Sequence, residues 1–353
     1  MTIGFTHETL GQRVVFAPKD AADATSAEVA GLGARRVMVI AAPAERTLAD
    51  RVCADVPVAL VHDDVRMHVP VENAERARAA AAESRADALL SIGGGSTTGL
   101  AKAVALTTGL PIVAVPTTYA GSEATPVWGL TSGNEKQTGV DPRVLPASIV
   151  YDAALTTSLP VELSVASGLN AMAHCVDSMW APHSDPLDIA LSAEGARALT
   201  TGLPRVVAAP EGLEGRQDTL FGAYLAAVAF ASAGSGLHHK ICHVLGGRYD
   251  LPHAQTHAVV LPHVLALNAP NAPDADRRLS QAFGSDTALD GLEALQTQLD
   301  APRALRDLGM RRADLPDAVA AILPVAPPSN PTPVTEDNVA GLLQRAWEGA
   351  PPR

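Results

Sequence analysis

Four short apolar runs occupy the first half of this chain, and their spacing limits its fold more than any other feature. Arg36-Val37-Met38-Val39-Ile40, Val58-Ala59-Leu60-Val61, Ala88-Leu89-Leu90-Ser91-Ile92 and Ile112-Val113-Ala114-Val115 each read as a buried strand. Alanine-rich helical stretches, such as Glu72 to Ser84 and Thr97 to Thr108, lie between them. Strand and helix in alternation predict a mostly parallel sheet with both faces covered. Near residue 155 the texture changes and strand signals nearly vanish. Segments 162–180, 185–200, 215–234, 237–247, 254–267, 288–299, 314–323 and 335–347 read as helices, several with apolar residues at three- and four-residue spacing. Pro160, Pro204, Pro252 and Pro302 are expected at helix edges. With 353 residues, too many for one ordinary core, the chain divides into an α/β domain over 1–155 and an all-α domain over 156–353.

Composition narrows the function. Hydrophobic residues make up 47% and charged residues 18%, which is a folded chain. A net charge of −12 argues against nucleic acid or an anionic membrane as partner, though a pocket for an anionic substrate can still be locally basic. Cys53, Cys175 and Cys242 are odd in number and widely spaced, so no disulfide framework is expected and a reducing cytoplasm is. The opening MTIGFTHETLGQ lacks the pattern of a secretory signal. No run approaches the ~20 apolar residues that span a bilayer.

Three constellations carry chemistry. The first is Ser91-Ile92-Gly93-Gly94-Gly95-Ser96-Thr97, which follows an apolar strand and opens a helix. Gly93, Gly94 and Gly95 let the backbone approach a pyrophosphate, and the helix beginning at Ser96 offers N–H groups and a positive dipole end. A tight strand-to-helix turn without a ligand would look the same, and GGGS is not the GxGxxG fingerprint. The second is Pro116-Thr117-Thr118-Tyr119-Ala120-Gly121-Ser122-Glu123-Ala124-Thr125, after the next strand. Its Thr117, Thr118, Gly121 and Ser122 fall beside the first turn, outside the carboxyl ends of the strands, where open α/β sheets bind ligands. Together the two loops indicate a dinucleotide.

The third constellation is in the second half. Asn170 and His174 share one helix face, as do His239 and His243; His253 follows His239 by fourteen residues, beyond Leu251-Pro252. His238, His257 and His263 are nearby. A lone histidine is more often packed or surface-exposed than functional, but six lie within Leu237 to His263. Imidazole serves as general acid or base and as metal ligand, and three could hold a divalent transition metal.

These motifs resemble the iron-containing alcohol dehydrogenase family, from Gly11-Gln12-Arg13-Val14-Val15-Phe16 through the two glycine loops to Asn330-Pro331-Thr332-Pro333-Val334-Thr335. The resemblance implies a dehydroquinate synthase-like fold, with an N-terminal dinucleotide domain, a C-terminal helical domain and an active site in a cleft. Metal-dependent members place Asp-x-x-x-His on one helix, then His, then a further His fourteen residues on. The matching places here hold Asn170, His174, His239 and His253, so the carboxylate is missing. Asn at that place, with Gly236-Leu237-His238-His239-Lys240-Ile241-Cys242-His243-Val244-Leu245-Gly246-Gly247, is similar to the maleylacetate reductase branch of the family. That branch reduces the C=C bond of maleylacetate to give 3-oxoadipate in aromatic compound degradation, and the similarity implies that no metal is required. It also implies a homodimer.

The expected roles follow from the chemistry. His243 or His253 donates a proton or hydrogen bond to the enolate; His174 and His239 orient a dicarboxylate substrate; Asn170 and Lys240 supply further donors. NADH and NADPH are both expected to serve: no carboxylate stands directly at the end of the first strong strand, and Arg46 is available to a 2′-phosphate. Two other classes stay open, a metal-dependent alcohol dehydrogenase for a small alcohol or aldehyde, and a non-catalytic dinucleotide-binding protein.

Overall fold

The computed structural model describes residues 4–132 and 135–352. They form two compact units, one spanning Thr9–Leu159 and one comprising the chain from Pro160 together with the segment ahead of Thr9. In the first unit the order is β1 (Arg13–Phe16), α1 (Ala21–Gly31), β2 (Val37–Ile40), α2 (Arg46–Val52), β3 (Val58–His62), α3 (Val71–Glu83), β4 (Ala88–Gly93), α4 (Gly95–Thr108), β5 (Ile112–Pro116), β6 (Val127–Ser132), β7 (Glu135–Val140) and β8 (Ser148–Tyr151). Six of the strands make one sheet in the order β1-β8-β5-β4-β2-β3, parallel throughout, and β6 and β7 form a separate antiparallel pair.

The apolar runs are continuous because the sheet is covered on both faces. Val37, Val39, Leu90, Ile92, Val113 and Val115 pack with Val29 of α1 and with Leu48 and Val52 of α2. Their alternates Met38, Ile40, Leu89 and Ile112 pack with Ala74 and Ala77 of α3 and with Leu100 and Val104 of α4. Burying each such aliphatic side chain contributes roughly 1.5–3 kcal/mol. From β2 the chain moves outward to β3 at the sheet edge, and β4 then lies on the other side of β2 and leads on to β5. The winding direction reverses between β2 and β4, the kind of position where open α/β sheets bind ligands.

The helical unit contains α5 (Val161–Ser178), α6 (Pro186–Ala208), α7 (Leu213–Ala233), α8 (Leu237–Tyr249), α9 (His253–Asn268), α10 (Pro273–Phe283), α11 (Ala288–Gln298), α12 (Leu315–Ile322) and α13 (Glu336–Glu348). Leu237, Ile241 and Leu245 of α8 pack with Val260 and Val264 of α9, Ile322 of α12 and Leu342 and Leu343 of α13. This core fixes the two helices that carry most of the histidines. Among the described residues no single helix is long and apolar enough to cross a membrane.

Three sequence expectations need correction. Residues 4–8 belong to the helical unit: His7 Nδ1 lies 2.7 Å from the carboxylate of Asp185, which caps α6. Pro204 lies inside α6, which runs on to Ala208. So near the helix end, proline forfeits one backbone bond without stopping the chain. Finally, β1, β6, β7, β8 and α10 were not anticipated.

Candidate active site

In the α/β unit the two glycine loops meet. Gly93 ends β4 with φ +146°, and a Cβ there would lie 2.6 Å from Thr97 Oγ1. At Gly94 a Cβ would come within 3.0 Å of Thr118 Cγ2. Only glycine lets the two loops approach this closely. Gly93 pairs with Pro116 across β4 and β5, and Thr117 N–H donates to the Gly93 carbonyl at 3.1 Å. Gly95 and Ser96 form the first turn of α4, which no side chain caps. Its N–H groups and dipole are therefore placed for an anionic ligand. Gly121 (φ +76°) turns the second loop so that Ser122 opens a short 3₁₀ turn.

Glu45 belongs to the same site. It stands in the turn after β2, and its carboxylate accepts from Thr117 Oγ1 at 3.2 Å. The sequence shows no acid directly at the end of β2; the structure brings one from five residues beyond Ile40. Arg46, expected to be available to a phosphate, pairs with Asp50 at 3.0 Å on the surface.

In the helical unit all four expected histidines fall in one cluster. The rings of His174 and His239 stack at 4.9 Å, His239 lies 6.1 Å from His243, and His243 stacks with His253 at 6.5 Å. Phe230 of α7 closes one side, 4.7 Å from His174 and 4.3 Å from His239. His174 and His239 are buried, whereas His243 and His253 are exposed. The cluster thus has a dry interior and a wet rim. Asn170 is buried one turn before His174 on the same face of α5. Lys240 is half-buried on α8, and as His239's immediate neighbour it projects about 100° around the helix from it.

Two buried groups escaped the sequence reading as members of the site. Asp177, seven residues after Asn170, accepts the Nδ1 side of His239 at 2.8 Å and the backbone N–H of Gly236 at 2.9 Å and of His238 at 3.3 Å. His257 lies 4.4 Å from His253 and 4.9 Å from His239, and its Nδ1 is 2.9 Å from His238 Nε2. The signal for both was helical spacing: 170, 174 and 177 share a face, as do 253 and 257.

Burial sets the charge. It pushes the Asp177 carboxyl up to about 7, against the backbone N–H groups of His239, His238 and Gly236. It also holds His174 and His238 down at about 3, with help from neighbouring imidazoles, and His239 and His257 well below the ordinary histidine value. The interior imidazoles are therefore neutral at neutral pH. Asn170 Oδ1, His174 Nδ1 and His239 Nε2 are buried without a hydrogen-bond partner. Buried polar atoms seldom stay unpaired, so these three atoms are suited to a polar ligand.

The donor set matches a metal in number but not in charge. Asn170, His174, His239 and His253 are three imidazoles and an amide, all uncharged as ligands: three imidazoles are a known zinc donor set, and the amide at the first place is a weaker ligand than a carboxylate. Asp177 does not substitute, because its carboxylate is engaged with His239 and the start of α8.

Comparison with known proteins places the chain. Residues 12–153 match the iron-containing alcohol dehydrogenase model and residues 164–347 the C-terminal model of the Fe-containing alcohol dehydrogenase family. Maleylacetate reductase 1 of Cupriavidus pinatubonensis is 43% identical over 350 residues, covering 99% of this chain and 98% of that protein. The solved iron-containing alcohol dehydrogenase from Corynebacterium glutamicum superposes with a TM-score of 0.98 at 55% identity, covering 100% and 99% of the two chains. The maleylacetate reductase from Rhizobium sp. strain MTP-10005 gives 0.93 at 40% identity, covering 99% and 100%. With family models over both units and full-length relatives well above 30% identity, the chain belongs to the iron-containing alcohol dehydrogenase family.

Proposed function

We propose that this protein reduces the C=C bond of maleylacetate to give 3-oxoadipate, using NADH or NADPH and needing no metal. The full-length likeness to maleylacetate reductases supports the substrate. The observation that carries the metal-free chemistry is Asn170, an uncharged side chain buried at the place of the carboxylate ligand.

The reaction suits such a site. Bound NAD(P)H would supply the hydride, which adds to the alkene carbon β to the ketone. The C=C electron pair moves to form an enolate, with charge on the ketone oxygen. A proton then adds at the α-carbon, giving a saturated chain and oxidised nicotinamide. Because the enolate is delocalised, its oxygen needs less stabilisation than a localised alkoxide, and hydrogen-bond donors can provide it.

His243 and His253 are on the exposed rim, and we assign the proton to one of them. Asn170 offers its NH₂ to the ketone oxygen, His174 and His239 orient the substrate, and Lys240 offsets carboxylate charge. Asp177 holds His239 in one orientation. On the nucleotide side, Gly93, Gly94, Gly95 and Ser96 receive the pyrophosphate, and Thr117, Thr118, Gly121 and Ser122 form the adjoining wall.

The test is NAD(P)H oxidation with maleylacetate, with and without EDTA. Turnover in both conditions is expected. No turnover in either overturns the proposal; turnover abolished by EDTA and restored by Fe²⁺ or Zn²⁺ keeps the substrate and overturns the metal-free mechanism.

A further inference from the structure

Lys102 is the one lysine in the apolar body of α4, between Ala101 and Ala103, and it is fully buried. An ammonium in that position is costly unless its hydrogens are bonded. Its Nζ donates to three carbonyl oxygens, those of Ser122 at 2.5 Å, Thr125 at 2.7 Å and Val127 at 2.8 Å, and lies 3.2 Å from Thr125 Oγ1. All these acceptors come from one stretch of six residues. The same stretch is held from its other side: Gln12 Nε2 donates to the Glu123 carbonyl at 2.8 Å, and Tyr151 OH donates to the buried Glu123 carboxylate at 2.7 Å. Glu123 also compensates the charge of Lys102.

The arrangement has a direction. The helix that carries Lys102 begins at Gly95, in the glycine turn, two turns earlier. The stretch it grips begins at Ser122, in the second half of the loop that opens with Thr117 and Thr118. One side chain therefore connects the helix whose first turn offers N–H groups with the loop that forms the adjoining wall. Packing alone would be met by leucine or methionine; three bonds to the carbonyls of Ser122, Thr125 and Val127, between the short 3₁₀ turn and the start of β6, fix that segment's shape.

We propose that Lys102 is a positioning residue for the dinucleotide, holding residues 122–127 in the form that binds it. This rests on the reading that the glycine turn holds the nucleotide. The experiment compares the unsubstituted protein with Lys102→Met for NADH binding, followed by nucleotide fluorescence, and for the steady-state kinetics of NADH oxidation. The expected result is a rise of about tenfold or more in Kd and KM for NADH, with kcat at saturating NADH within about threefold. An unchanged Kd overturns the inference, as does a fall in kcat with no change in KM. If Lys102→Met does not fold, Thr125→Val removes one of the four acceptors and should raise Kd about two- to fivefold; no change overturns the inference. Failure of the unsubstituted protein to bind NADH would instead overturn the nucleotide reading itself, and this inference with it.

Discussion

Asp177 and His239 form a fully buried carboxylate–imidazole pair, 2.8 Å apart, with His239 Nε2 left without a partner on the far side of the ring. The same carboxylate accepts N–H groups from the first turn of α8, so one side chain sets both the start of the helix and the orientation of its first functional residue. In metal sites such a pair fixes the tautomer of a ligand; here it aims Nε2 of His239 into the cluster. Asp177→Asn presents an amide donor to Nδ1 and so inverts the tautomer. It should lower kcat/KM by on the order of 10- to 100-fold, as loss of such outer partners does elsewhere, and leave the Kd for NADH unchanged. Steady-state kinetics with maleylacetate check this, and an unaltered kcat/KM would remove Asp177 from the mechanism.

Asn170→Asp restores the missing anionic donor beside His174 and His239. A unit charge about 4 Å from a divalent ion contributes about 2 kcal/mol even in a water-like dielectric, and several times that when partly buried. The variant should therefore bind Zn²⁺ at least about tenfold more tightly than the unsubstituted protein. Calorimetric titration and metal content after dialysis are the measurements. Equal affinities would show that the amide is no handicap to a metal at this place.

The buried histidines make the fold acid-sensitive. His174, His238, His239, His257 and His263 are all held below the ordinary 6.5, His174 and His238 to about 3 and His263 to about 4. In the unfolded chain each titrates near 6.5, so between that value and the lower folded values the unfolded state binds more protons. Stability is then fully present above pH 6.5 and falls as the pH drops from 6.5 towards 4, by up to about 1.4 kcal/mol per pH unit for each such group. Asp177, raised to about 7, gains a proton on folding over the same interval and offsets about one of these five groups, so Tm should still fall between pH 7 and pH 5, and His263→Gln should flatten the slope. A Tm that stays level over that interval contradicts the assignment of neutral buried imidazoles.

Legibility in the sequence followed burial. The strands β2, β4 and β5 are buried on both faces, and every residue from Val37 to Ile40 is apolar, so they read directly. In contrast, β1 is a four-residue edge strand beginning with exposed Arg13, and β8 is four residues long with Ser148 at its head. Each therefore offers three apolar residues in a row, against four in β2, and does not stand out. The buried face of α10 is only Ala275, Leu279 and Ser280, set among Asp274, Asp276, Arg277 and Arg278. The expected imidazoles were visible because they recur on one helix face. Asp177 and Glu45 were not, since a carboxylate gains meaning only from what folds against it: His239, 62 residues away, in one case and Thr117, 72 residues away, in the other.

Glu45 leads to a prediction about cofactor choice. Its carboxylate, bonded to Thr117 at 3.2 Å, stands past the end of β2, and in dinucleotide folds an acid in this region accepts the ribose 2′-OH and repels a 2′-phosphate. The nearest sequence candidate for a compensating cation, Arg46, is engaged with Asp50. NADH should therefore be used more efficiently than NADPH. Glu45→Gln keeps an oxygen to accept from Thr117, so the loop should retain its shape while the repulsion disappears. The ratio of kcat/KM for NADPH to that for NADH should rise on the order of five- to tenfold, the size of one partly screened charge–charge term. The rise should come mostly through KM for NADPH, because the chemistry at the nicotinamide is unaltered. If the ratio stays constant while both KM values rise together, Glu45 only braces Thr117, and the carboxylate faces away from the ribose.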